Sequence, residues 1–162
     1  MFRIKSFRLW NSSNIINLFI MKQINEKFYI ARIVFTIGIL LSVLTFFIPN
    51  TIILYIGILV ISLIYLTMGW YFFKSYFPEG HPLFLFLIGY LYSGVFIAAV
   101  FYCARWPLAK TFINIAPLWA LLLLILLIFV RRKMPKKGLI QFIVEGSVLL
   151  LLTVLLIMFY NK

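Results

Sequence analysis

Long apolar runs, separated by short polar or basic intervals, organise this chain. Five runs stand out, at 30–47, 51–73, 82–102, 111–130 and 138–160. Within each run the apolar residues occupy every face of a 3.6-residue period, not a single stripe. Such helices are solvated by lipid and by one another. Crossing a hydrocarbon layer of ~30 Å takes roughly 17–25 helical residues. Inside such a layer a helix satisfies its own backbone groups without water. The pattern predicts an all-α fold: a polytopic integral membrane bundle of five transmembrane helices. It divides the chain into an N-terminal segment, 1–29, and a five-helix domain, 30–162. The first run is the shortest and carries Arg32 near its start, where a long basic side chain can snorkel to the interface.

The connections are short. Ile48-Pro49-Asn50 is a tight turn signal, and the others cover 74–81, 103–110 and 131–137. None has room for a soluble domain, and no internal repeat is visible. Short links predict one compact bundle with sequence neighbours antiparallel.

Composition removes other classes. Hydrophobic residues make up 65% of the chain and charged residues 11%, against about 45–50% and about 25% in soluble domains. A water-soluble enzyme, a disordered chain and a disulfide-stapled secreted domain are excluded. The single cysteine, Cys103, permits no internal disulfide.

Charge sets an orientation. Of fifteen Lys and Arg residues, all but Arg105, Lys110 and Lys162 fall on one side of the five runs. The positive-inside rule then puts the N-terminus in the cytoplasm and the C-terminus outside a plasma (inner) membrane. Aromatic residues mark both boundaries: Tyr29, Trp70 to Phe73 and Tyr76 on the inner side, Phe101, Tyr102, Trp106 and Tyr160 on the outer. The run Arg131, Arg132, Lys133, Lys136 and Lys137 reads as a topology anchor in contact with anionic lipid headgroups. The bases line no single amphipathic surface, so no nucleic-acid partner is expected. Residues 1–20 are basic, then polar, then apolar. They read either as an interfacial amphipathic helix or as an extension ahead of a start at Met21.

Glu145 is the most informative single residue. It lies eight positions past Lys137, about 12 Å along a helix, and so within the apolar layer. An ionised, unpaired carboxylate there costs on the order of several kcal/mol. Lys137, Gln141 and Glu145 share one helix face. The group reads as a proton- or cation-binding carboxylate assisted by Gln141. The alternative is a structural Glu bonded to Gln141 and neighbouring helices, or paired with a base at the inner interface.

A second candidate is the loop Pro78-Glu79-Gly80-His81-Pro82. Its Glu79 and His81 suit general acid–base work on a headgroup. Equally, the loop ends one helix and starts the next at Pro82. No nucleophile is placed beside it.

Small residues four apart mark close helix packing: Gly38 and Ser42 in the first run, Gly89 and Ser93, and Gly94 and Ala98, in the third. They serve either oligomerisation or packing within the chain. Tyr90, Tyr92 and Ser93 are candidate pocket-lining groups. No His/Cys/carboxylate cluster has metal-ligand spacing, no phosphate-binding loop is present, and neither a metal nor a cofactor is expected.

The sequence resembles no family on these grounds. Its minimal loops and few buried polar groups point to a non-catalytic accessory or scaffold subunit, with a membrane-protein partner or a second copy. The alternative is a small oligomeric transporter or channel working through Glu145. A lipid-directed enzyme using Glu79 and His81 ranks last.

Overall fold

The computed structural model describes residues 26, 29–48, 51–74, 76, 77 and 80–160. Among the described residues five helices are long and apolar enough to cross a membrane: α1 (Tyr29–Phe47), α2 (Ile52–Phe73), α3 (Pro82–Ala104), α4 (Ala109–Val130) and α5 (Lys136–Tyr160). A single 3-10 turn, Arg131–Lys133, links α4 to α5. The helices outrun the apolar periods at several ends because polar residues such as Lys110 and Lys136 extend a helix as readily as apolar ones.

Neighbours in sequence pack antiparallel. Gly38 lies against Ile61 and Gly57 against Leu41, which joins α1 to α2. Ser62 meets Ser93, and Gly69 meets Gly89, across α2 and α3. Phe101 stacks on Phe112 and Gly94 lies under Trp119, across α3 and α4. Leu124 covers Gly146, across α4 and α5. Helices α1, α3 and α5 therefore run in one direction, and α2 and α4 in the other.

Helix α3 is the hub. In its most apolar stretch 67% of residues are buried, against 22–39% in the other four helices. The cause is its supply of small residues on two faces. Gly89 and Gly94 are five positions apart, so they point about 140° away from each other. One admits α2 and the other α4. Gly38, on α1, lies against the ring of Phe96 on a further part of the same helix. The small-residue positions singled out in the sequence are thus occupied by contacts inside one chain, with Ala98 fully buried and the Ser42 hydroxyl donating to the Gly38 carbonyl at 2.8 Å.

One detail differs from the sequence pattern. Phe72, Phe73 and Tyr76 do not stand at the bundle's edge as boundary aromatics; they are buried in its core. Trp70, Tyr29, Trp106 and Tyr160 are the exposed ones. Pro117 lies inside α4, which continues through it, as neighbouring helices allow in packed bundles. Helix α3 ends at Arg105, which takes a left-handed conformation (φ 51°). The Trp106 amide then reaches back to the Phe101 carbonyl, a helix stop usually left to glycine. The N-terminal stretch 1–20, the start at Met21, and the turn residues Pro49 and Asn50 lie outside the described residues.

Candidate functional site

Glu145 sits nine residues into α5, about 13 Å from its first turn at 1.5 Å per residue. Its side chain is buried. Burial of a carboxylate requires partners, and three donors supply them. The Tyr76 hydroxyl donates to Oε1 at 2.9 Å. The Gln141 side-chain amide donates to the same oxygen at 2.8 Å. The Tyr92 hydroxyl donates to Oε2 at 3.0 Å. Each hydrogen bond to a charged group is worth about 1.5–3 kcal/mol.

Each donor arrives for a local reason. Gln141 is one helical turn before Glu145, the i, i+4 spacing that puts two side chains on one face. Tyr92 comes from the middle of α3. Its ring is held by Tyr65, stacked at 5.2 Å, and by Phe73 at 4.8 Å. Phe35 and Phe142 close the cage at 6.0 and 6.3 Å. Tyr76 comes from the connection between α2 and α3. Its backbone rests on Gly138, where a Cβ would fall 3.2 Å from the Tyr76 carbonyl oxygen. Gly138 and Glu145 are seven residues apart on one face of α5, so a Tyr seated at the first can reach toward the second. Burial, and then the nearby Glu145 carboxylate, push the Tyr76 phenol well above its ordinary pKa, so it keeps its proton and donates.

The partners are neutral donors. Lys137, at the head of the same stripe, is exposed and takes no part in these bonds. Pairing of Glu145 with a base at the inner interface is therefore replaced by Tyr76 and Tyr92. Arg32, the base within α1, is exposed. Among the described residues every buried side-chain nitrogen and oxygen has a hydrogen-bond partner.

The remaining candidates lie elsewhere. His81 is exposed and caps α3, its Nδ1 accepting from the Leu83 amide at 3.3 Å, with Pro82 in the first helical position. Glu79 lies outside the described residues. Arg131, Arg132, Lys136 and Lys137 are exposed at one end of the bundle, and the Lys133 side chain is not among those described. Cys103 is buried near the end of α3, away from His81 at its start. Among the described residues no group of three metal-ligating side chains occurs. A shallow groove of about 300 Å³ borders Arg32 and Tyr29, and another of about 440 Å³ borders Trp70 and Phe86. Glu145 lines neither.

Sequence reasoning located Glu145 and Gln141 but missed the phenols. Tyr76 read as a boundary aromatic and Tyr92 as a possible pocket wall. The one signal for Tyr76 was Gly138, a glycine at the correct helical spacing from the acid. No protein family, curated protein or solved structure matches this chain.

Proposed function

We propose that this chain is an integral protein of a plasma (inner) membrane, with its basic end and N-terminus in the cytoplasm and its C-terminus outside. It works there as a non-catalytic accessory or scaffold subunit of a membrane complex. Large apolar side chains face outward on every helix, among them Ile53, Leu83 and Phe129. Such a surface suits lipid as solvent. The basic end, with Arg131, Arg132, Lys136 and Lys137 exposed, suits anionic headgroups.

The observation that carries the subunit reading is that donors of its own chain bond both oxygens of Glu145. Its buried polar groups serve the bundle, which leaves helix faces and a charged end for contact with others. Purification in mild detergent, followed by cross-linking and mass spectrometry, should recover a membrane-protein partner or a second copy. A persistent lone monomer counts against the reading. Orientation is tested separately, with Ser12→Cys and Asn161→Cys in a Cys103→Ser background. An impermeant thiol reagent should reach them from opposite faces.

A second reading is a small oligomeric transporter or channel with Glu145 as its ion- or proton-binding group. It is favoured by the neutrality of the three contacting donors, so that among the described residues no counter-charge bonds the carboxyl. Glu145→Gln should then abolish flux in liposomes without lowering expression. Unchanged flux removes Glu145 from any such path.

A further inference from the structure

One outward face of α1 combines a base, a phenol and two isoleucines. Tyr29, Arg32, Ile33, Thr36 and Ile37 follow the i, i+3, i+4, i+7, i+8 spacing of a single helix face, and all five are exposed. Together they line the groove of about 300 Å³. That volume is at the lower end of the roughly 300–1,000 Å³ found for ligand sites. Side chains on a helix lean toward its N-terminus, and in α1 that is the basic end. The Arg32 guanidinium therefore leans toward Tyr29, while Ile33 and Ile37 continue the stripe along the apolar part of the helix.

The base must find its counter-charge outside the bundle. The chain holds fifteen Lys and Arg residues against three acids. Among the described residues no carboxylate bonds Arg32. Glu145 is occupied by neutral donors on both oxygens. Glu26, six positions before Arg32, is not in the groove lining. Thr36 adds no donor, because its hydroxyl is spent on the Arg32 carbonyl at 2.8 Å. The guanidinium and the Tyr29 phenol are then the donors on offer. A planar guanidinium pairs with two oxygens of one phosphate. A lipid-facing Arg near a helix end reaches such groups at the interface.

We propose that this face of α1 is a binding site for one anionic glycerophospholipid, whose phosphodiester is held by Arg32 and Tyr29 and whose acyl chain lies along Ile33 and Ile37. The site rests on the membrane placement proposed above. It goes beyond general contact at the basic end by assigning one lipid, of defined charge, to one place. Among the described residues the lining holds no carboxylate to receive an ammonium group, so a headgroup with net negative charge binds in preference to a zwitterion. The groove beside Trp70 and Phe86 has no charged side chain among its described lining residues and selects no headgroup.

The test uses the full chain in nanodiscs of phosphatidylglycerol and phosphatidylethanolamine in equal parts. Native mass spectrometry then reads which lipid stays bound as the particle is stripped. One phosphatidylglycerol per chain should be retained last. Arg32→Gln should lower its retention about tenfold, the effect of losing roughly one hydrogen bond between charged groups. Tyr29→Phe should lower it about threefold, as for a weaker bond. Lys74→Gln removes an equal charge from an exposed position at the same end and should leave it unchanged. Arg32→Lys, which keeps the charge without the planar fork, should fall between the parent protein and Arg32→Gln. Equal losses in Arg32→Gln and Lys74→Gln would mean that lipid follows overall charge, and the site is overturned. Equal retention of the two lipids by the unsubstituted protein overturns the choice of headgroup. A dimer that Arg32→Gln disperses places a second copy on this face, and overturns the lipid. A chain that enters solution without detergent or lipid refutes the membrane placement itself, an outcome distinct from unselective retention in nanodiscs.

Discussion

Gly69 and Gly89 meet backbone to backbone, so that a Cβ on Gly69 would fall 2.6 Å from the Gly89 Cα. The contact is what lets α2 and α3 approach closely enough for Ser62 and Ser93 to bond at 2.8 Å. Small residues at such crossings replace the hydrophobic driving force that lipid cannot supply. Gly69→Ala and Gly89→Ala should each destabilise the bundle by about 1–3 kcal/mol, the usual cost of overpacking. Steric trapping in bicelles measures this. Stability equal to the parent protein would contradict the close crossing.

Tyr92 and Glu145 should be energetically coupled. Tyr92→Phe removes the donor to Oε2 and should cost about 1.5–3 kcal/mol. In a Glu145→Leu background the same change should cost much less, because the acceptor is gone. A double-mutant cycle reads the difference, and strictly additive effects would argue that the two side chains act independently.

The pair Ser62 and Ser93 should be worth far less. Interhelical hydrogen bonds within membranes average about 0.6 kcal/mol. A cycle through Ser62→Ala and Ser93→Ala should return a coupling of that order, well below the one at Glu145. If the serine pair proved the stronger, the ranking of polar contacts argued above would be reversed.

Gly138 should behave as part of the Glu145 site although it carries no side chain. Gly138→Leu adds bulk where the Tyr76 backbone rests. The Tyr76 and Phe77 amides should then exchange faster than in the parent protein, while those in the middle of α3 stay protected. Unaltered exchange in the connection would mean that the glycine is not its seat.

Arg105 offers a stabilising change. A non-glycine residue in the left-handed region costs roughly 1–2 kcal/mol. Arg105→Gly should relieve about 1 kcal/mol of this, seen as slower unfolding in detergent. A loss of stability would show that the arginine side chain contributes more than its backbone costs.

Much of the architecture was legible along the chain. The five apolar helices follow from apolar length, because a stretch of about twenty apolar residues has few stable forms other than a helix. Glu145 was legible for the same reason, as a charge where charge is expensive. Gln141 followed from helical spacing. The tyrosines were not legible. Phe73, Tyr76 and Tyr92 carry the same residue types whether they face lipid, headgroups or protein, and apolar periodicity cannot separate these when every face is apolar. Boundary aromatics and core aromatics therefore look alike until the helices are packed.

Primary structure by itself determined that five stretches are long and apolar enough to cross a membrane, about where each of them lies, and that the carboxylate of Glu145 lies deep. Those properties depend on local composition measured against the thickness and polarity of a membrane. Tertiary structure alone decided that α3 is the hub and that Tyr76 and Tyr92 converge on Glu145. That convergence joins groups 53 and 69 residues away in sequence, and it depends on which small residues let which helices touch, a matter of shape that no local pattern encodes.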